Sequence, residues 1–223
     1  MKQGTFYEIG AKGAVLRYLL ADDWVRAGMK REKNDDEIYL DPEWEFTYNM
    51  WQGVFVEPLP ENTQEVMDYL IQDGIKEKAK VVACAVGPRT EITRFETLNL
   101  AELTHLAETP EGKIVSLPET NLFDEYLTSV GTIYVPMYTL DDLFEQLKTY
   151  PDLLRIDIEG AEVAALENYS FDPRPHIIQV DSHKVNMQAV VKILTDHNYT
   201  VRDDQYGKFG DDVCATDNER KSC

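Results

Sequence analysis

Four apolar runs in this chain each end in an acid: Phe6-Tyr7-Glu8, Val54-Phe55-Val56-Glu57, Leu153-Leu154-Arg155-Ile156-Asp157 and Ile177-Ile178-Gln179-Val180-Asp181. Short runs rich in Val, Ile, Phe and Tyr read as buried strands. Between them lie apolar sets with helical spacing: Leu16, Leu19 and Leu20; Val66, Met67, Leu70 and Ile71; Leu140, Leu143, Phe144 and Leu147; Met187, Val190, Val191 and Leu194. Residues at i, i+3, i+4 and i+7 share one helix face. Strands that alternate with helices predict a mainly parallel α/β sheet. Ligands of such a sheet sit at the carboxyl ends of its strands. The four acids are therefore expected on one rim.

The predicted strands are Thr5–Ile9, Gly53–Glu57, Lys80–Val86, Thr132–Met137, Leu153–Ile158, Ile177–Asp181, Tyr199–Arg202 and Asp212–Ala215. The last two are joined by a short link and are expected to pair antiparallel at one edge. Thr139 stands three residues before Asp142 and reads as a helix N-cap with a capping-box-like partner. The chain shows no internal repeat, low-complexity tract or clear linker, so residues 1–223 are expected to form a single domain. Residues 22–49, with Trp24, Trp44 and Tyr48, and residues 95–131 break the rhythm. Long irregular stretches of this kind are expected to be lids or acceptor-binding segments.

Charge narrows the partners. Asp plus Glu number 41 against 22 for Lys plus Arg, a net charge of −19. Such a surface repels phosphate backbones and anionic membranes, which argues against a nucleic-acid binder. No apolar run approaches the roughly 20 residues that span a bilayer. Met1 leads almost directly into the first strand with no signal-peptide core. Cys84, Cys214 and Cys223 match neither a disulfide framework nor a zinc motif. These features predict a cytoplasmic protein with reduced thiols, in which the sequons at Asn168 and Asn198 are accidental.

The strand ends carry the candidate chemistry. After Glu8 come Gly10, Ala11, Lys12 and Gly13, a turn whose glycines allow a ligand to approach the backbone. Pro58 stops the second strand at Glu57. A carboxylate there is acceptor-only and can take both hydroxyls of a ribose. Asp157, Glu159 and Glu162 crowd together after the third run. Two carboxylates about 4 Å apart repel by about 4 kcal/mol at an effective dielectric of about 20. Such a cluster needs a cation, a shared proton or a cationic ligand to persist. His183 follows Asp181 and Ser182 and is the one histidine at a strand tip, whereas His105, His176 and His197 read as surface or structural.

At these residues the chain resembles the FkbM-type methyltransferases. The resemblance rests on Glu8-Ile-Gly10-Ala, Val56-Glu57-Pro58-Leu-Pro60-Glu-Asn62, Val135-Pro-Met-Tyr-Thr139-Leu140-Asp141 and, most specifically, Arg155-Ile-Asp157-Ile-Glu159-Gly160-Ala161-Glu162, where the family usually has Lys in place of Arg155. It implies a Rossmann-like class I methyltransferase fold: a mainly parallel seven-stranded sheet with an antiparallel edge strand and helices on both faces. It also implies S-adenosylmethionine as cofactor and transfer to a hydroxyl oxygen. Glu8, Gly10 and Ala11 would line the methionine side, with Glu57 and Pro58 at the ribose and Ala85 nearby. Asp157 and Glu159 would lie at the junction of cofactor and acceptor, and Asp181 and His183 would face the acceptor. Thr139 and Asp141 match the pattern but look structural.

Methyl transfer to oxygen requires end-to-end alignment and a deprotonated hydroxyl. His183, Asp157 and Asp181 are the candidates for the base; the ordinary imidazole value of about 6.5 suits His183. Alternatively, Asp157, Asp181 and His183, with Glu159, would hold Mg²⁺ or Mn²⁺, which lowers the hydroxyl's pKa and neutralises the acids. The expected function is O-methylation of a sugar or glycan hydroxyl. A polyketide-like or other small-molecule acceptor, or a non-enzymatic acidic α/β binding domain, are the alternatives. The short N-terminus suggests a minimal enzyme or a domain of a longer polypeptide, fused to or working with glycosyltransferase domains; a homo-oligomer is a further expectation.

Overall fold

The computed structural model describes residues 3–20, 50–98, 129–182, 184–201 and 212–219. In chain order its strands are β1 (Gln3–Ile9), β2 (Met50–Val56), β3 (Ala79–Val82), β4 (Ala85–Val86), β5 (Glu91–Leu98), β6 (Ser129–Tyr138), β7 (Leu153–Ile156), β8 (Ile177–Asp181), β9 (Tyr199–Val201) and β10 (Asp212–Asp217). The α-helices are α1 (Pro60–Gln72), α2 (Leu140–Leu147), α3 (Glu162–Glu167) and α4 (Lys184–Asp196), and Val15–Leu20 forms a 3₁₀ segment.

Seven strands form one sheet in the order β3-β2-β1-β7-β8-β10-β9. From β3 to β8 every pairing is parallel, as the alternation with helices predicts. Alternate side chains feed two cores. Phe6, Phe55, Leu153 and Ile177 pack with Val66 and Leu70 of α1 and with Leu16, Leu19 and Leu20. Tyr7, Ile9, Leu154 and Ile178 pack on the other face with Leu140 and Phe144 of α2, Ala165 and Leu166 of α3, and Val190 and Leu194 of α4. The fold is Rossmann-like, with helices on both faces.

Three details differ from the sequence expectation, whereas the last two strands pair antiparallel at one edge as expected: β10 lies between β8 and β9 and is antiparallel to both. The crossover through α4 sets β9 one position out, and the chain returns as β10 into the gap. Lys80–Val86 is two strands, because Ala83 and Cys84 break the ladder after β3 and β4 joins another sheet. Thr132–Met137 lies within the longer β6, which is central to that second sheet, ordered β4-β6-β5. The stretch from 95 onward was expected to be irregular, yet β5 runs to Leu98 and β6 begins at Ser129.

The chain divides into two compact units, one comprising Met1–Glu91 with Pro136–Cys223 and the other Ile92–Val135. Trp24, Trp44, Tyr48 and His105 lie outside the described residues. Among the described residues, Cys84 and Cys214 form no disulfide, and burial pushes the Cys84 thiol up to about 12. Among them, too, no helix is long and apolar enough to cross a membrane.

Candidate functional site

Strand register sets the positions of the acids. Val82, Val56, Ile9, Ile156 and Val180 are successive cross-strand partners, so they form one row across the parallel part of the sheet. The residues that follow on β2, β1, β7 and β8 are Glu57, Gly10, Asp157 and Asp181. They stand side by side at the carboxyl rim, three strand spacings of about 4.8 Å end to end. Asp157 is tied to β1 through its N–H, which donates to the Ile9 carbonyl at 2.9 Å. The Val56 carbonyl accepts from both Gly10 N (2.9 Å) and Ala11 N (3.1 Å). The first turn is thereby fixed to β2.

Gly10 has φ +79°, and a Cβ there would lie 1.6 Å from the Asp157 carbonyl oxygen. Only glycine lets β1 turn this close to the end of β7. Gly13 has φ +83° with open space around its would-be Cβ. Ala11 is fully buried behind the turn.

Glu8 is completely buried, and its two oxygens accept from Val15 N and Leu16 N, each at 2.8 Å. It holds the start of the 3₁₀ segment. Burial pushes its carboxyl above the usual range, against the opposing pull of the Arg155 guanidinium and the two N–H groups. Arg155 is its cross-strand partner on β7 and is 7% exposed. One guanidinium nitrogen, Nη1, is 3.7 Å from Glu8 Oε1; the other, Nη2, is 3.1 Å from Asp157 Oδ2. The chain's own Arg155 therefore supplies a cation to Asp157, one member of the acidic cluster, and to Glu8. The signal was available in the sequence, because Arg155 and Asp157 are two apart and share a strand face.

Glu57 is 4% exposed, and burial raises its carboxyl above the usual range. Leu59 N (3.0 Å) and Asn62 Nδ2 (3.2 Å) both donate to Oε1. Pro58 is half-buried beside it, and Ala85 is buried in β4. Sequence reasoning did not identify Asn62 as the residue that orients Glu57. Its position in the first turn of α1, with Pro60 starting the helix, is what brings it there.

Glu159 is exposed and adopts φ +52°, followed by Gly160 at +106°. Glu162, 1% exposed, clamps this turn: its Oε1 accepts from Ile158 N (3.1 Å) and Gly160 N (2.9 Å), and its Oε2 is buried without a partner among the described residues. Glu162 is thus a loop anchor and not a rim acid. Asp181 closes β8 opposite Asp212 and is half-buried, and Ser182 is fully buried. His183 lies outside the described residues. Among the described residues, no group of three or more His, Cys, Asp or Glu side chains is placed to hold a metal ion.

A mainly parallel sheet wound with helices on both faces, with a glycine turn and a buried acid at adjacent strand ends, is the arrangement of Rossmann-like folds. The methyltransferase FkbM domain matches residues 32–201, and the chain belongs to that family. Among solved structures, an FkbM methyltransferase from Methylobacillus flagellatus KT is similar at 14% identity with a TM-score of 0.49, covering 96% of this chain and 43% of that one. A precorrin-6y C5,15-methyltransferase from Geobacter metallireducens GS-15 is similar at 14% identity with a TM-score of 0.42, covering 91% and 66%. The chain thus spans less than two thirds of the length of either. No curated protein matches it in sequence.

Proposed function

We propose that this chain is an S-adenosylmethionine-dependent O-methyltransferase whose acceptor is a hydroxyl of a sugar or glycan. The observation that carries the reading is the single row of rim positions, Glu57, Gly10, Asp157 and Asp181, fixed by strand register. These residues suit the cofactor. Among the described residues, the partners of Glu57 meet it at Oε1, and Oε2 is the oxygen proposed for a ribose hydroxyl. Gly10 and Ala11 form the turn against which its methionine part would lie, and Pro58 and Ala85 flank the ribose and adenine side.

Bound there, the cofactor supplies an electrophilic methyl carbon on a positively charged sulfur. This chain's part is to align the acceptor oxygen and to receive its proton. Asp157 and Asp181 present oxygens to the acceptor's hydroxyls, and carboxylates are well suited to a polyol because they only accept hydrogen bonds. His183 or Asp181 takes the proton, a contribution of about 10²–10⁴-fold in rate. Mg²⁺ or Mn²⁺ held by Asp157, Asp181 and His183, with Glu159, is a separable addition. Activity that survives exhaustive chelation removes it.

The test is calorimetric titration of S-adenosylmethionine, followed by mass spectrometry of candidate sugars incubated with enzyme and cofactor. Glu57→Ala should weaken cofactor binding by about 1–3 kcal/mol, the usual cost of unpairing a buried polar partner. A wild-type chain that binds no cofactor would overturn the reading.

A further inference from the structure

The cofactor reading leaves a physical difficulty at the rim. The sulfur carries a full positive charge before methyl transfer and none after it. Acids beside it stabilise the charged form, and only preferential stabilisation of the transition state accelerates a reaction. Glu8 and Asp157 are two acids on adjacent strands whose tips meet at the Gly10 turn.

Arg155 is the counterweight. It is 7% exposed, lies directly across from Glu8 in the β1–β7 register, and reaches along its own strand to Asp157. Its contacts are 3.7 Å to Glu8 and 3.1 Å to Asp157. A charge held in so dry a place is screened far less than one in water, so its field extends to the neighbouring rim positions. Lys12, in the same turn, is exposed and therefore more strongly screened.

Resting on the cofactor reading, we propose that Arg155 is a positioning residue that tunes the site's preference between the cationic cofactor and its neutral demethylated product. It acts through Glu8 and Asp157 and touches neither ligand. By offsetting their charge it keeps the site from holding the sulfonium too tightly, and it ties the Glu8-anchored turn to the Asp157 end of β7.

The two ligands differ by one methyl and one charge, which gives a readout that a purely structural role would not move. Affinities of S-adenosylmethionine and S-adenosylhomocysteine are measured by calorimetry for the wild-type chain, Arg155→Lys, Arg155→Met and Asp157→Asn. Arg155→Met should shift the ratio toward the cationic ligand by about five-fold or more, five-fold being the effect of one unit charge at about 4 Å in bulk water and so the floor for a charge held out of water. Arg155→Lys should keep the wild-type ratio. Asp157→Asn, at a side chain 27% exposed, should shift the ratio the opposite way, and it decides the matter should Arg155→Met fail to fold. Variants that bind both ligands with an unmoved ratio, or weaken both equally, overturn the proposal. A wild-type chain that binds neither ligand overturns the cofactor reading itself, and this inference with it.

Discussion

A Cβ placed on Gly10 would sit 1.6 Å from the backbone carbonyl oxygen of Asp157, a contact that no rotamer can relieve. The turn after β1 and the end of β7 are therefore built around the absence of a side chain. Gly10→Ala must pay twice. The left-handed φ costs about 1–2 kcal/mol for a residue with a Cβ. The clash adds the cost of overpacking, about 1–3 kcal/mol. Gly13 shares the sign of φ but not the clash, so Gly13→Ala should lose only the first amount. Denaturant unfolding of the two variants should separate them by at least 1 kcal/mol or so.

Glu162 makes a second prediction about the same rim. Its Oε1 is the acceptor for two N–H groups, those of half-buried Ile158 and exposed Gly160. Glu162→Ala strands the Ile158 N–H, at about 1–3 kcal/mol for an unsatisfied group, while the Gly160 N–H can turn to water. Glu162→Gln keeps a carbonyl oxygen at Oε1 and should cost far less. Thermal melts check the order: wild type and Gln close together, Ala well below.

Much of this was legible in the chain. The carboxyl ends of β1, β2, β7 and β8 could be placed on one rim because apolar runs that alternate with helices leave a parallel sheet as the simplest arrangement, but Glu8 lies two residues short of Gly10, fully buried, as an anchor for the turn and not as a rim acid. Thr139 was readable as the N-cap of α2, and its hydroxyl does accept from Asp142 N at 3.1 Å. The return half of the box was not readable. The Thr139 N–H donates to the Thr90 hydroxyl, which in turn donates to Asp142, so a residue far upstream completes the cap. The strand break at Ala83–Cys84 was hidden for a similar reason. The run Lys80–Val86 looks continuous, and only long-range pairing, β3 with β2 and β4 with β6, divides it. The pairing of Arg155 with Asp157 was two residues long and visible. Its extension to Glu8 needed the register between β1 and β7.

Glu57 couples stability to pH with a definite sign. Burial raises its carboxyl above the unfolded value, which is about 4.3 for glutamate. A raised carboxyl means that the folded chain holds the proton more tightly. Its contribution to stability is complete below the unfolded value and is lost as pH rises through the folded one. At neutral pH the buried charge is thus a cost. Glu57→Gln should raise the melting temperature at pH 7, with the gain shrinking toward pH 4, while it weakens cofactor binding by about 1–3 kcal/mol. A variant that is less stable at pH 7 and binds unchanged would contradict both halves.

The net charge of −19 sets a last expectation, for salt. Excess like charge destabilises the compact state through self-repulsion, and added ions screen it. The Debye length falls from about 30 Å at 0.01 M to about 3 Å at 1 M. Exposed pairs such as Arg89–Glu91 and Lys192–Asp196 weaken over that range, yet such surface pairs contribute only about 0–1 kcal/mol each. The buried bridge from Arg155 to Glu8 is largely shielded from solvent ions. Relief of repulsion should therefore win, and the melting temperature should climb as potassium chloride is raised toward 1 M. A melting temperature that falls with potassium chloride would show that attractive surface pairs outweigh the excess of acids.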